Sequence, residues 1–135
     1  MEEQAQYQPR LKIILPGSIR SKKNSKQVVM VGGVNKPRRP MIIPSKAYKK
    51  WEARAREDAA YQYPGEPWTC PVAVKVRVFY KGQRPDLSGC LESVGDCLEG
   101  LVFGNDRQIE SWDGSRLEKD NANPRTEVEV MPYEL

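Results

Sequence analysis

From Pro71 to Tyr80 the sequence alternates without a break, with Val72, Val74, Val76 and Val78 on one parity and Lys75 and Arg77 on the other. Successive side chains of a strand point to opposite faces, so this decapeptide predicts a β-strand with one face in a core and one in water. An apolar sheet face must be covered, and the rest of the chain has to supply the cover. At 135 residues the chain suits one domain with a real core. We expect a single domain over residues 1–135, with 1–9 as a flexible N-terminus.

The remaining elements can be placed around that strand. Arg10 to Pro16 has strand character through Leu11, Ile13, Ile14 and Leu15, and Pro16-Gly17 closes it. Gln27–Val31 and Pro40–Pro44 read as paired short strands joined through a turn at Gly32-Gly33. Ser45 is placed to cap a helix running to about Tyr61, with Tyr48, Trp51, Ala55 and Ala59 on one face. Trp51 reads as a core anchor. Tyr63–Pro67 is a linker turn, a second helix follows Ser88, and Leu101-Val-Phe is an apolar, strand-like run. Residues 107–118 and 125–130 read as two closing strands. The order βββαβαββ predicts an α+β domain with a mixed β-sheet packed by two helices.

Composition removes whole classes of chemistry. The sequence holds no His, which excludes Ser-His-Asp triads, Cys-His dyads and His-metal nuclease motifs, and leaves carboxylates, Lys, Tyr or Cys. Cys70, Cys90 and Cys97 are odd in number and form no Cys-x-x-Cys pair, as expected of reduced thiols. No run approaches the roughly 18 apolar residues that a membrane span needs. The start, Met-Glu-Glu-Gln-Ala, has neither a basic n-region nor an apolar h-region, so a cytoplasmic protein without a signal peptide is expected.

The net charge of +4 hides an asymmetry. Residues 1–60 carry +9 and residues 61–135 carry −5. A basic half suits phosphates, and an acidic half suits a metal. The basic residues fall into two groups, Arg20, Lys22, Lys23 and Lys26 in an aperiodic polar loop, and Lys36, Arg38 and Arg39 at the tip of the paired short strands. Both groups are placed to line a nucleic-acid backbone. An RNA-binding domain is disfavoured, because no aromatic-rich RNP-like strand or Gly-x-x-Gly loop appears.

The acids that matter lie between Pro85 and Ile109. Asp86 precedes a helix that Ser88 would cap, Glu92 and Asp96 follow at four-residue steps, and Asp106 comes after the apolar run. At about 100° per residue, Ser88, Glu92 and Asp96 share an arc of about 80° beside the apolar stripe of Leu91, Val94 and Leu98. Oxygen donors converging from more than one element are what Mg²⁺ or Mn²⁺ takes. The candidate ligands are Asp86, Asp106 and Glu92, with Asp96 as a further candidate acid.

The same stretch resembles the RusA family of phage Holliday-junction resolvases. The resemblance rests on Asp86-Leu87-Ser88-Gly89, Asp96-Cys97-Leu98 and Asn105-Asp106-Arg107-Gln108-Ile109, and extends more weakly to Ile14-Leu-Pro-Gly, Ser21-Lys-Lys-Asn-Ser25 and Pro44-Ser-Lys-Ala-Tyr-Lys-Lys-Trp51. It implies an α+β homodimer that binds branched DNA, above all four-way junctions, and cuts it by paired nicks with a divalent metal. By that resemblance, the family's second acid falls on Ser88, its helical Lys on Glu92, and the first member of its acid pair on Asn105. Lys22, Lys23, Arg84 and Arg107 are the candidates to replace the missing Lys. The alternative is a junction-binding protein of the same fold, catalytically weakened or inactive because of Ser88 and Glu92.

Overall fold

The computed structural model describes residues 9–21 and 26–134. The expected N-terminal tail therefore lies outside the described residues except for Pro9, as do Lys22 and Lys23. The chain runs through β1 (Leu11–Pro16), β2 (Lys26–Val31), β3 (Arg39–Pro44), α1 (Lys46–Gln62), β4 (Val72–Tyr80), α2 (Leu87–Leu98), β5 (Ile109–Ser111), β6 (Arg116–Lys119) and β7 (Arg125–Pro132). Class and architecture are as the alternation predicts: a mixed sheet with two helices.

The alternating strand β4 is the centre of a five-stranded sheet ordered β1-β7-β4-β5, with β6 also on β4. β7 pairs antiparallel with β1 and β4, whereas β5 and β6 run parallel to β4, β5 at its start and β6 at its end. A parallel pairing needs a crossover, and α2 supplies it. The four valines of β4, Ile13 and Leu15 of β1, and Val128 and Val130 of β7 are all buried on one face. Tyr48, Trp51, Ala55 and Ala59 of α1 and Cys90, Val94, Cys97 and Leu98 of α2 close over them. Fully burying each Val, Ile or Leu among them contributes about 1.5–3 kcal/mol, which is why both helices are held to this face.

The other face carries charge in register. Lys12, Glu129 and Lys75 lie across three adjacent strands. Arg77 reaches Glu118 at 3.0 Å, and Arg125 reaches Asp120 at 3.0 Å and Glu127 at 2.8 Å while its guanidinium lies 3.8 Å over the Phe79 ring. The edge of β1 is closed locally, because the Gln62 side-chain amide accepts from Ile14 N–H at 2.8 Å and donates to the Ile14 carbonyl at 2.7 Å. An edge so occupied is a poor template for another strand.

Three expectations need correction. Leu101-Val-Phe is not a strand but a turn: Leu101 and Val102 N–H groups both donate to the Leu98 carbonyl, and Gly100 takes φ +83 to allow it. Val102 and Phe103 are nevertheless fully buried, so the apolar run reports burial without extended pairing. Residues 107–118 are not one strand either. A single 3-10 turn (Asp106–Gln108) precedes β5, and Asp113-Gly114 then breaks the chain before β6, with Gly114 at φ +86. The β2–β3 pair forms its own two-stranded sheet, joined by a longer loop, Gly32–Arg38, rather than a tight turn at Gly32-Gly33.

Ser45 caps α1 as expected, accepting from Tyr48 N–H at 3.1 Å. The three cysteines are free thiols. Burial pushes Cys90 up to about 11, with the Asp86 charge adding to it, and burial pushes Cys97 up to about 12 against the opposing effect of Arg56. Neither thiol is suited to nucleophilic or metal chemistry at neutral pH.

Candidate active site

Sequence dictates that β4 ends at Tyr80 and α2 begins at Leu87, and the six residues between them turn through Gly82 at φ +73. A cleft of about 580 Å³ opens there, lined by Ser18–Ser21 on one side and by Tyr80, Lys81 and Gln83–Asp86 on the other. Arg20, Lys81 and Arg84 supply three cations to this cleft, and Asp86 supplies the carboxylate.

Asp86, not Ser88, is the N-cap of α2. Its Oδ2 accepts from the Gly89 N–H at 3.2 Å and from the Ser88 hydroxyl at 3.1 Å. The helix starts two residues earlier than expected because aspartate caps as well as serine, and capping from Asp86 takes half-buried Leu87 into the helix as its first residue. Ser88 instead sits in the first turn and holds the capping carboxylate in place. The second oxygen, Oδ1, makes no hydrogen bond to the described residues.

Two contacts dock the Ser18–Ser21 segment on α2. Ser93, fully buried, donates its hydroxyl to the Arg20 carbonyl at 2.8 Å. Gly89 lets Ser21 approach so closely that a Cβ there would lie 2.3 Å from the Ser21 hydroxyl and 3.1 Å from its Cβ. Gly89→Ala is therefore expected to cost about 1–3 kcal/mol by overpacking and to displace Arg20 from the cleft. Urea unfolding checks the first effect, and an unchanged midpoint would contradict it. The far end of α2 is fixed by Arg56, which donates to the Cys97 and Glu99 carbonyls at 2.8 and 3.1 Å.

The other acids are dispersed. Glu92 is exposed one turn beyond Ser88. Asp96 is half-buried, about 12 Å along the helix from Ser88, and its charge adds a minor part to the rise of Tyr48, which comes first from burial and then from the hydrogen bond its hydroxyl donates to Glu52 at 2.9 Å. Asp96 thus belongs to the α1–α2 contact. Asp106 is exposed and opens the 3-10 turn, which Asn105 and Gln108 fix with a reciprocal capping box. Gln108 also donates to the Trp68 and Cys70 carbonyls, and Ile109 pairs with Val72, so Asp106 stands beside the start of β4. Asp86 stands beyond its end. The nine-residue strand between them spans about 26 Å.

Accordingly, no three Asp, Glu, Cys or His side chains among the described residues are grouped so as to hold a metal ion. The basic candidates divide in the same way. Arg20 and Arg84 line the cleft, Arg107 is exposed beside Asp106, and Lys36, Arg38 and Arg39 are exposed on the β2–β3 hairpin. Lys26 enters as the first residue of β2. Lys81 was missed by sequence reasoning, although a Lys and an Arg within the four residues after a buried strand are a legible signal for a cationic rim.

With this geometry in place, the family comparison is decisive. A model of the endodeoxyribonuclease RusA family matches residues 16–131, which spans the cleft, both helices and the whole sheet except the first five residues of β1 and the last residue of β7. The chain belongs to the RusA endodeoxyribonuclease family. No curated protein matches it. In the cleft, Ser88 donates a hydrogen bond to Asp86, and exposed Glu92 lies one turn further along α2.

Proposed function

We propose that this protein is a divalent-metal-dependent endonuclease that resolves four-way DNA junctions by paired nicks, working as a homodimer in the bacterial or phage-infected cytoplasm. The observation that carries the reading is the cleft at the end of β4, where Arg20, Lys81 and Arg84 surround Asp86 in a chain of the RusA family. Three cations beside one carboxylate can seat a phosphodiester with its scissile bond at the acid. No described helix is long and apolar enough to cross a membrane.

The donor set fits Mg²⁺ of a particular kind. Magnesium keeps most of its waters and takes one or two carboxylates plus substrate phosphate, rather than an all-protein cage. Asp86, exposed and with hydrogen bonds from the described residues on Oδ2 alone, fits that role. Bound there, the ion would activate water and stabilise charge on the phosphate. Asp106 reaches such a site only from a second protomer, because the length of β4 lies between the two acids within one chain. A two-fold dimer that sets Asp106 of one subunit against Asp86 of the other forms two equivalent sites, matched to the two-fold symmetry of a four-way junction. Glu92, six residues further along α2, is the acid of the same helix that could supplement Asp86.

The alternative, a junction binder without efficient chemistry, is favoured by the one-acid character of each cleft. A labelled four-way junction separates the two readings. The nuclease reading expects paired nicks with Mg²⁺ or Mn²⁺, none with chelator, and little cutting of linear duplex. Binding without cleavage under every metal condition would leave the binder.

A further inference from the structure

Among the described residues seven large apolar side chains stand exposed, and five of them, Val28, Met30, Val34, Met41 and Ile42, lie on the β2–β3 hairpin. The register gathers three of them, Val28, Met30 and Ile42, into one surface. Val28 pairs with Ile42 and Met30 with Pro40, so these four share one face of the hairpin. Val28 is 65% and Ile42 68% exposed, and Val34 on the connecting loop is completely so. The opposite face carries half-buried Val29, Val31 and Ile43, with Met41 and Arg39 beside them more open to solvent. An isolated two-stranded ribbon is marginal in water, and one that leaves its apolar face uncovered is built to meet something.

Charge identifies the occupant. The sequence has no acid from residue 4 to residue 51, and the hairpin loop and the start of β3 carry Lys36, Arg38 and Arg39, all exposed. A second copy of the hairpin, brought in by a two-fold axis, would set these cations against their own images with no acid between them. Nucleic acid offers what this surface lacks, phosphates for the cations and base faces for the apolar side chains. Intact duplex hides its base faces. A branch point exposes them.

We propose, resting on the junction-cleaving reading above, that the β2–β3 hairpin is a wedge that unstacks the bases at the centre of branched DNA. Val28, Met30 and Ile42 take the place of a stacked neighbour, and Lys36, Arg38 and Arg39 hold the flanking phosphates. The hairpin thereby sets structural selectivity, while the cleft at Asp86 performs the chemistry.

The test is the double variant Val28→Thr with Ile42→Thr, which keeps β-branched residues on the strands while adding hydroxyls to the apolar face. Binding is measured in chelator to a four-way junction bearing 2-aminopurine at the branch point and to a linear duplex. The unmodified protein should raise the 2-aminopurine fluorescence. The variant should lose that rise, and its junction-to-duplex preference should fall roughly tenfold, the scale of losing one base stack. An unchanged thermal midpoint shows that the fold is intact, and the companion Val28→Ile with Ile42→Val should keep the fluorescence rise. Retained unstacking and selectivity in the threonine variant would overturn the wedge. So would conversion of a dimer to a monomer by the same substitutions, which would assign the face to a second copy. If the unmodified protein shows no preference for the junction at all, the junction reading itself falls; if it prefers and cuts the junction without unstacking it, only the wedge does.

Discussion

Asp86→Asn should lower cleavage of a four-way junction by roughly a thousandfold or more and leave the fold as stable as before. The two halves of that expectation come from the two duties of one carboxylate. Oδ2 caps α2 through Gly89 and is held by Ser88, while the residue as a whole lines the cationic cleft. Asparagine caps a helix about as well as aspartate, so the amide preserves the local structure and removes only the charge. Junction affinity should hold or rise, because a negative charge has left the neighbourhood of Arg20, Lys81 and Arg84. Steady-state cleavage, a binding isotherm and a melting curve on the same sample check all three. Asp86→Ala is the less informative change, since it adds a capping loss of about 1 kcal/mol to the loss of the ligand.

Phe103→Ala should cost about 3–5 kcal/mol of stability. Phe103 is fully buried and closes the turn after α2, where its backbone bridges to Trp68 and to Glu99 and its carbonyl accepts from Gly100 N–H at 2.7 Å. A domain of this size commands only about 5–15 kcal/mol in all, so the loss is a large share of it. Urea unfolding reads the effect as a fall in midpoint at constant slope. A midpoint near that of the unmodified protein would mean the ring is not part of the core.

The strand at the centre of the sheet was legible because four valines on one parity admit one orientation, and both helices were legible because their apolar stripes are long. Short elements were not. Leu101-Val-Phe is as apolar as a strand, but three residues can be buried by a turn whose N–H groups find Leu98. The break at Asp113-Gly114 was present in the sequence as a turn signal, and continuity of polarity around it masked the two strands it separates. Asp86 and Asp106 were legible as acids, but their spacing in the chain says nothing about which end of a strand each occupies. That depended on β5 running parallel to β4 from its first residue. The helix cap moved from Ser88 to Asp86 because aspartate and serine cap about equally well, and a sequence that offers both two residues apart does not choose between them. The docking of Ser21 on Gly89 and of Arg20 on Ser93 joins residues some 70 apart in sequence, and no local pattern reports it.

The most direct test of the account mixes two dead proteins. Asp86→Asn and Asp106→Asn chains are co-expressed so that mixed dimers form, and the purified mixture is given a labelled four-way junction with Mg²⁺. In a mixed dimer one shared site pairs an intact Asp86 with an intact Asp106 across the subunits, and the other site has lost both. The account predicts that each variant alone is silent and that the mixture nicks one strand of the junction, with the activity abolished by chelator. A mixture that stays silent under conditions where the unmodified protein cuts would contradict it, and would place both acids in the service of a single chain.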